Sequence, residues 1–406
     1  MSGMRQCLPA AVLIVLSLAG CGDAPSEHAV ASTPKADAPA AAAQPVPASR
    51  PSVHITQVRA DRLAFDPAKK ESVTIRFNID RTADVDLMVY DGRDRLVRRV
   101  EGTELAPGEH ALTWDGRDFR SRPVPPEAYV YTIAAITAQG QRVTHDLTDL
   151  TGGEPLTAKD PRWDPATGQV HYVLDRPARV NIRFGLQEGG PYLRTLIDWV
   201  PRAAGAQSEP WDGWDASRVL PLAKHPTLLT GVMAYSLPAN ALLVGPRVGR
   251  VTFAALPEEG RREQAHKGPK RMYFHADQPL DTRGDVSTSL TIDGPGKQDA
   301  QGRWIVSGRV PVRLHVAEAD RARVLSRRFE PVFFVDGTFA FENEVGFLPM
   351  TWHWDTSTVN AGEHFVTVNV RGYEGNFGAA TLKVWVQHPT KPAMQKDREN
   401  VAEGEP

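Results

Sequence analysis

The side chains of this sequence that could do chemistry fall into a few patterns. Tryptophan–aspartate pairs recur, among them Trp114-Asp115, Trp211-Asp212 and Trp354-Asp355, and the first two of these run on to a further acid at Asp118 and Asp215. Two carboxylates so close could offer oxygens to calcium, but calcium takes six to eight, and two are too few. As structure, the pair makes sense wherever a strand ends: the indole fills a space between sheets and the aspartate accepts backbone N–H groups in the turn that follows. We therefore expect these six residues to be structural and expect no metal. None of the 12 histidines is spaced His-x-His or His-x-x-x-His from another, the spacings that bring two ligands to one ion on regular structure. Gly-x-Ser-x-Gly, a phosphate loop and a dinucleotide fingerprint are all missing. Ser32-Thr33-Pro34-Lys35 matches a Ser-x-x-Lys pattern by spelling alone. No catalytic residue or cofactor is expected, and a non-enzymatic chain is the consequence. Tyr192, Trp199 and Trp214 are the candidate binding surface, because exposed aromatic faces are what a sugar ring would stack on.

Cysteine is as informative by its scarcity. Of two cysteines, Cys7 lies in an N-terminal segment with Arg5 as positive flank and Leu8 to Gly20 as apolar run. That run is too short to cross a ~30 Å hydrocarbon layer and reads as a signal peptide over residues 1–20. Leu18-Ala19-Gly20-Cys21 resembles a bacterial lipobox. The resemblance implies cleavage before Cys21, a diacylglyceryl group on its sulfur and acylation of the new amine. Several acyl chains at ~0.8 kcal/mol per buried CH₂ make a stable anchor. Gly22 in second place leans toward the outer membrane, facing the periplasm. The rest of the chain has no thiol, which removes disulfides, thiolate metal sites and cysteine nucleophiles together.

Residues 21–52 are mostly Ala, Pro, Ser and small polar types, too poor in apolar surface to offset the entropy of ordering; they read as a disordered tether. Lys plus Arg is 47 against 49 Asp plus Glu, a balance with no pull toward nucleic acid. Gly and Pro at 33 each, punctuating short Val/Ile/Tyr/Phe runs, point to an all-β body of several modules.

Val73, Ile75, Phe77 and Ile79 alternate with polar neighbours and give one buried face. After a corner at Asp80 to Ala83, Val85 to Tyr90 follows as the paired strand, and Asp91-Gly92 is expected to be a tight hairpin turn at positive φ. The strand before Asp80, Val89-Tyr90-Asp91, Gly108-Glu109-His110, Trp114-Asp115-Gly116-Arg117-Asp118 and Pro125-Pro126 before Tyr129-Val130-Tyr131 together resemble the immunoglobulin-like module at the C-terminal end of flagellar hook-capping proteins. That family carries glycine where this chain has Glu127. Val170 to Val180 then repeats Ile75 to Val85 nearly position by position, and Trp211-Asp212-Gly213 repeats the corner, so a second, divergent copy follows. It carries what reads as a long loop insertion, Gln187 to Ser208. Val335-Asp336-Gly337, Trp354-Asp355-Thr356, Asn360-Ala361-Gly362-Glu363-His364 and Leu382 to Val386 resemble the broad class of bacterial immunoglobulin-like domains.

The expected architecture is tandem immunoglobulin-like β-sandwiches: modules at 53–150, 151–255 and 272–388, an exposed polar linker at 256–271 and a frayed tail at 389–406. Arg283-Gly284-Asp285 spells an integrin tripeptide but is short enough to arise by chance. The expected function is a lipid-anchored envelope protein that binds or scaffolds an exported or envelope protein. A glycan- or peptidoglycan-binding role is the alternative; a hydrolase or transferase with an unrecognised site, or a flagellum-associated factor, is weaker.

Overall fold

The computed structural model describes residues 52–245, 260–262, 285–294, 297–326, 328–372 and 377–388. The leader, Cys21, the tether up to residue 51, most of the 256–271 linker, Arg283, Gly284 and the tail from 389 lie outside the described residues.

The first module contains β1 (Ile55–Ala60), β2 (Ala64–Phe65), β3 (Val73–Ile79), β4 (Ala83–Tyr90), β5 (Leu96–Leu105), β6 (Gly108–Trp114), β7 (Ala128–Ile136) and β8 (Arg142–His145). The second contains β9 (Pro155–Leu156), β10 (Lys159–Asp164), β11 (Gln169–Leu174), β12 (Ala178–Leu186), β13 (Tyr192–Arg202), β14 (Gly205–Pro210) and β15 (Leu228–Ser236), and β16 (Ala241–Val244) follows. The third runs from β17 (Thr288–Ile292) through β18 (Lys297–Gln298), β19 (Trp304–Val306), β20 (Arg309–Val316), a short helix α1 (Glu318–Leu325), β21 (Phe329–Val335), β22 (Thr338–Glu342), β23 (Met350–Asp355) and β24 (Gly362–Gly372) to β25 (Phe377–Val386).

Each module is a sandwich of a three-stranded sheet against a larger one. The small sheets are β1-β3-β6, β10-β11-β14 and β17-β20-β23. Alternation decides what faces inward. Ile75, Phe77 and Ile79 in the first module, and Val170, Tyr172 and Leu174 at the repeat-equivalent positions of the second, are all buried, while Asp80-Arg81 and Asp175-Arg176 are exposed corners. Trp114 meets Phe65 and Tyr129 edge-on, both at 5.5 Å; Trp211 stacks on Phe184 at 3.8 Å; Phe333 packs on Trp352 at 5.0 Å. Such contacts add about 0.5–1.5 kcal/mol each beyond area burial. The Tyr129 hydroxyl donates to the Pro125 carbonyl at 2.8 Å, fixing the corner at the start of β7. All-β tandem sandwiches are thus what the chain forms; α1 is the one helix of more than a turn among the described residues, and no strand alternation announced it.

The modules are not simply successive. β8 pairs with the far half of β7, over Ile133 to Ile136, and β16 pairs with its near half, over Ala128 to Val130. The two occupy one strand position beside β7, with β2 pairing β16 on its other side, and the second module is inserted between them. The boundary expected at 150 therefore cuts the first module short of Ala241 to Val244. Periodicity reports which face of a strand is buried, and it does not report which sheet the strand joins.

A junction between the two modules follows from the insertion. Met88, Tyr90, Ala128, Val130, Ala134, Ala241 and Leu243, on the outer face of the first module's larger sheet, form a second apolar core with Leu237 and Ala203. At its edge Glu127 pairs with Arg179 at 2.7 Å, with side chains 2% and 1% exposed. Glu127 stands where the hook-capping family has glycine, and the departure supplies the anion that a buried Arg179 requires.

Within the linker Gly260 and Arg261 are exposed as expected, but Arg262 is buried. The Gly260 carbonyl accepts Leu96 N–H at 2.9 Å, Arg262 N–H donates to Asp94 O at 2.8 Å, and the buried Arg262 guanidinium reaches Asp94, Asp146 and Asp149 at 2.7–3.0 Å. The other oxygen of Asp146 accepts Thr148 N–H at 2.9 Å. Gly260 to Arg262 is a strap on the first module rather than a solvated hinge.

Removing one member of a buried ion pair strands the other charge and costs about 3–5 kcal/mol, while replacing both with apolar groups is nearly neutral. Arg179→Met should lower the urea unfolding free energy by that amount, and Glu127→Leu combined with Arg179→Met should recover most of it.

Candidate binding surface

The tryptophan corners of the first two modules superimpose in their bonding. Trp114 Nε1 donates to Arg117 O at 2.9 Å and Trp211 Nε1 to Trp214 O at 3.0 Å. Asp115 accepts Arg117 N–H at 3.1 Å, and Asp212 accepts Trp214 N–H at 3.2 Å. Gly116 and Gly213 turn at φ +74° and +80°, where a side chain would be strained. Asp118 accepts the N–H groups of Arg120 and Arg122, both at 2.9 Å; Asp215 accepts those of Val219 and Leu220 at 2.7 and 2.9 Å. Burial opposes ionisation of Asp118, but Arg122 and the turn N–H groups hold its carboxyl below the usual range. Asp212 is likewise held down against burial by Trp214 N–H and by Arg194. In the third module Asp355 accepts Ser357 N–H at 3.0 Å. These carboxylates are spent on backbone. Among the described residues no group of three or more His, Cys, Asp or Glu is placed to hold a metal ion.

A second turn recurs three times. Asp91, Asp118 and Asp299 each accept the N–H groups of residues two and four further on and pair with the arginine at the fourth position, Arg95, Arg122 and Arg303. The residue between carries the positive φ: Asp94, Ser121 and Gly302 at 61°, 59° and 74°. The left-handed residue of the first hairpin is therefore Asp94, not the expected Asp91-Gly92 pair.

The aromatic candidates are divided. The stretch read as a loop insertion from 187 to 208 is largely β13, an edge strand, so Tyr192 and Trp199 sit on a sheet. Tyr192, 44% exposed, packs its ring on Phe377 at 5.3 Å. Its backbone exchanges hydrogen bonds with Asn369, N–H to Oδ1 at 2.9 Å and carbonyl from Nδ2 at 2.6 Å. Trp199, at φ +50° in a bulge, packs on Tyr235 at 5.2 Å and its carbonyl accepts Arg179 Nη1 at 3.2 Å. Trp214 remains 39% exposed at the corner. Tyr192 is thus engaged at the junction with the third module and Trp199 packs within the second, while Tyr192 and Trp214 both keep an exposed part.

What the spacing did not reveal is the outer face of β12. Arg179, Asn181 and Arg183 alternate with core residues and are nonetheless buried. Arg179 meets Glu127 of the first module; Asn181 donates to Asp198 at 2.8 Å. Arg183 lies 3.8 Å over the Phe377 ring of the third module and 3.8 Å from Asp198. Asp285, the last residue of the integrin-like tripeptide, accepts Thr195 N–H at 3.0 Å at this junction, and burial pushes its carboxyl up. A polar row on an alternating strand was the available signal, and in isolation it reads as solvent-facing.

Residues 62–139 match the family model of the FlgD Ig-like domain. The first module has the fold that its motifs implied. Among solved structures, the chain is similar to fibronectin(III)-like modules of CbhA from Clostridium thermocellum, at 10% identity over 82% of this chain and 95% of that one, with a TM-score of 0.19. It is also similar to a tetra-tandem repeat from the extending region of a large adhesion protein, at 13% identity over 83% and 74%, TM-score 0.18. A third likeness is to a 1.5-MDa bacterial ice-binding adhesin, at 10% identity over 84% and 99%, TM-score 0.17. At these scores none of the three bears on what the chain does. No curated protein matches the sequence.

Asp215→Ala, which leaves several turn N–H groups without an acceptor, should cost at least about 2 kcal/mol in urea unfolding, and added calcium should leave the wild-type midpoint unchanged. His364 gives a pH test. Burial lowers its pKa, but the bond to Asp336 at 2.6 Å and the Asn360 carbonyl at 2.8 Å outweigh it, and the net shift is upward. The stability it adds is complete below the unfolded value of about 6.5 and is lost as pH rises through the higher folded value. The wild type should lose stability relative to His364→Gln as pH rises above about 6.5.

Proposed function

We propose that the chain is a non-enzymatic binding or scaffolding protein of the bacterial envelope, anchored through acyl groups on Cys21 and docking another exported or envelope protein through its sandwich modules. The observation that carries the reading is how the ionisable side chains are used. Asp91, Asp118, Asp215 and Asp299 close turns, while Glu127, Arg179, Arg183 and Arg262 join one module to the next or to the strap. Groups committed in this way hold surfaces in a fixed relation, which suits presentation to a protein partner through sheet faces and edges. Several acyl chains on Cys21 would supply the membrane attachment, and the outer membrane facing the periplasm is the site that Gly22 favours. The near-neutral charge balance gives no reason to invoke nucleic acid. The glycan alternative rested on three aromatic rings, of which Tyr192 packs against the third module and Trp199 against Tyr235 of its own.

Mild crosslinking in native membranes, comparing wild type with Cys21→Ser, tests both halves. The wild type should fractionate with membrane and bring down a protein partner in near-stoichiometric amount, and Cys21→Ser should release it to the soluble fraction. Equal fractionation of the two would remove the anchor; recovery of envelope glycan alone would remove the protein-docking role and turn attention to Trp214.

A further inference from the structure

The larger sheet of the second module ends differently from those of its neighbours. In the first module the edge of β7 is covered by β8 and β16, and in the third the edge of β24 is covered by β25. β15 holds the corresponding place in the second module, paired along its whole length with β12. The strand that follows, β16, has gone to the first module. Among the described residues only β9 reaches the free side of β15, and it pairs with Ala234 and Tyr235. Among the described residues no strand pairs with that side from Leu229 to Met233.

The backbone groups of this window are oriented for pairing. Ser236 donates its N–H to Glu154 O at 2.9 Å, and its carbonyl accepts Gly153 N–H at 2.8 Å, so even-numbered residues of β15 aim their backbone at the free side. By alternation Thr230 and Val232 do the same. Leu229 and Met233 are 45% and 40% exposed, and no charged residue occurs from Leu228 to Ser236. Lysine, proline or a bulge ordinarily guards such an edge against strand addition, and none is present.

The window is also its own complement. Gly231 is its centre, with Leu229 and Met233 two residues away on either side. Two copies laid antiparallel across a two-fold axis set Gly231 on Gly231, Thr230 opposite Val232, and Leu229 opposite Met233. Thr230 and Val232 would then exchange ladder hydrogen bonds. Gly231 would form the close, non-hydrogen-bonded pair with Cα atoms ~4.5 Å apart, and Leu229 would meet Met233 on both sides of the axis, as an isologous interface demands. We infer that β15 is a self-docking edge, through which two copies of this chain join their second modules into one continuous sheet. So short a pairing buries well under the ~800 Å² per partner of stable complexes, so the dimer is weak and forms by mass action.

The test uses the full chain and exploits its lack of thiols beyond Cys7 and Cys21. With both replaced by Ser, Gly231→Cys should oxidise to a covalent dimer, since ~4.5 Å between Cα atoms lies within disulfide range. A side chain fits there, because the nearest atom to an added Cβ is Arg183 O at 3.8 Å. Sedimentation of the same chain with Gly231 intact should show a reversible monomer–dimer equilibrium. Met233→Lys, which places a charge against Leu229 twice, should raise the dissociation constant about tenfold or more and suppress the crosslink. Three results would overturn the inference: an introduced thiol that reacts with maleimide but stays monomeric; one that is protected in a monomer, which means a segment of the same chain covers the edge; or a dimer indifferent to Met233→Lys. The sedimentation comparison does not depend on Gly231→Cys folding.

Discussion

The arrangement of this protein depends on burying the polar face of one strand. β12 turns Val180, Ile182 and Phe184 into the second module's core, so Arg179, Asn181 and Arg183 must face outward. Two guanidinium groups taken out of water need compensating charge or aromatic faces, or the cost is several kcal/mol each. The first module supplies Glu127, the third supplies Phe377, and β13 supplies Asp198 between them. The outer face of a single strand therefore specifies where both neighbours sit, and an apolar face of the same shape would specify it less sharply.

Much of the fold was legible because local rules were obeyed. The alternation at Val73 to Ile79, the repeat at Val170 to Val180 and the tryptophan corners all placed strands and core correctly, since each is decided by neighbours within a few residues. Three other features were settled over long separations. Whether Ala241 to Val244 closes the second module or returns to the first depends on β7, more than a hundred residues earlier. Whether Arg262 is solvated depends on Asp94, Asp146 and Asp149. Whether Arg183 faces water depends on Phe377. Charge and periodicity describe a residue's own requirements, and the partner that meets them is invisible until the chain is folded. The one local hint was Glu127, an acid where the related family has glycine.

The acidic residues illustrate how far architecture can absorb groups that in other settings would do chemistry. An aspartate in an apolar cleft with a raised pKa invites a catalytic reading. Here Asp118 and Asp212 are pulled the opposite way, by turn amides and arginines, and stay anionic acceptors. Their repetition at equivalent corners is the mark of a building rule.

The insertion of the second module within a split strand also determines how the chain would bear tension. A pull between residue 52 and the third module travels along the covalent chain into the first module. It can be resisted there by β16 in the sheet and by the Arg262 strap before it reaches the inserted module's own core. The second module hangs as a side loop of the loaded path, with both ends returned to the same neighbour. Its core is shielded by topology, and a pull from the third module would meet the Arg262 strap first and the ladder between β16 and β7 next.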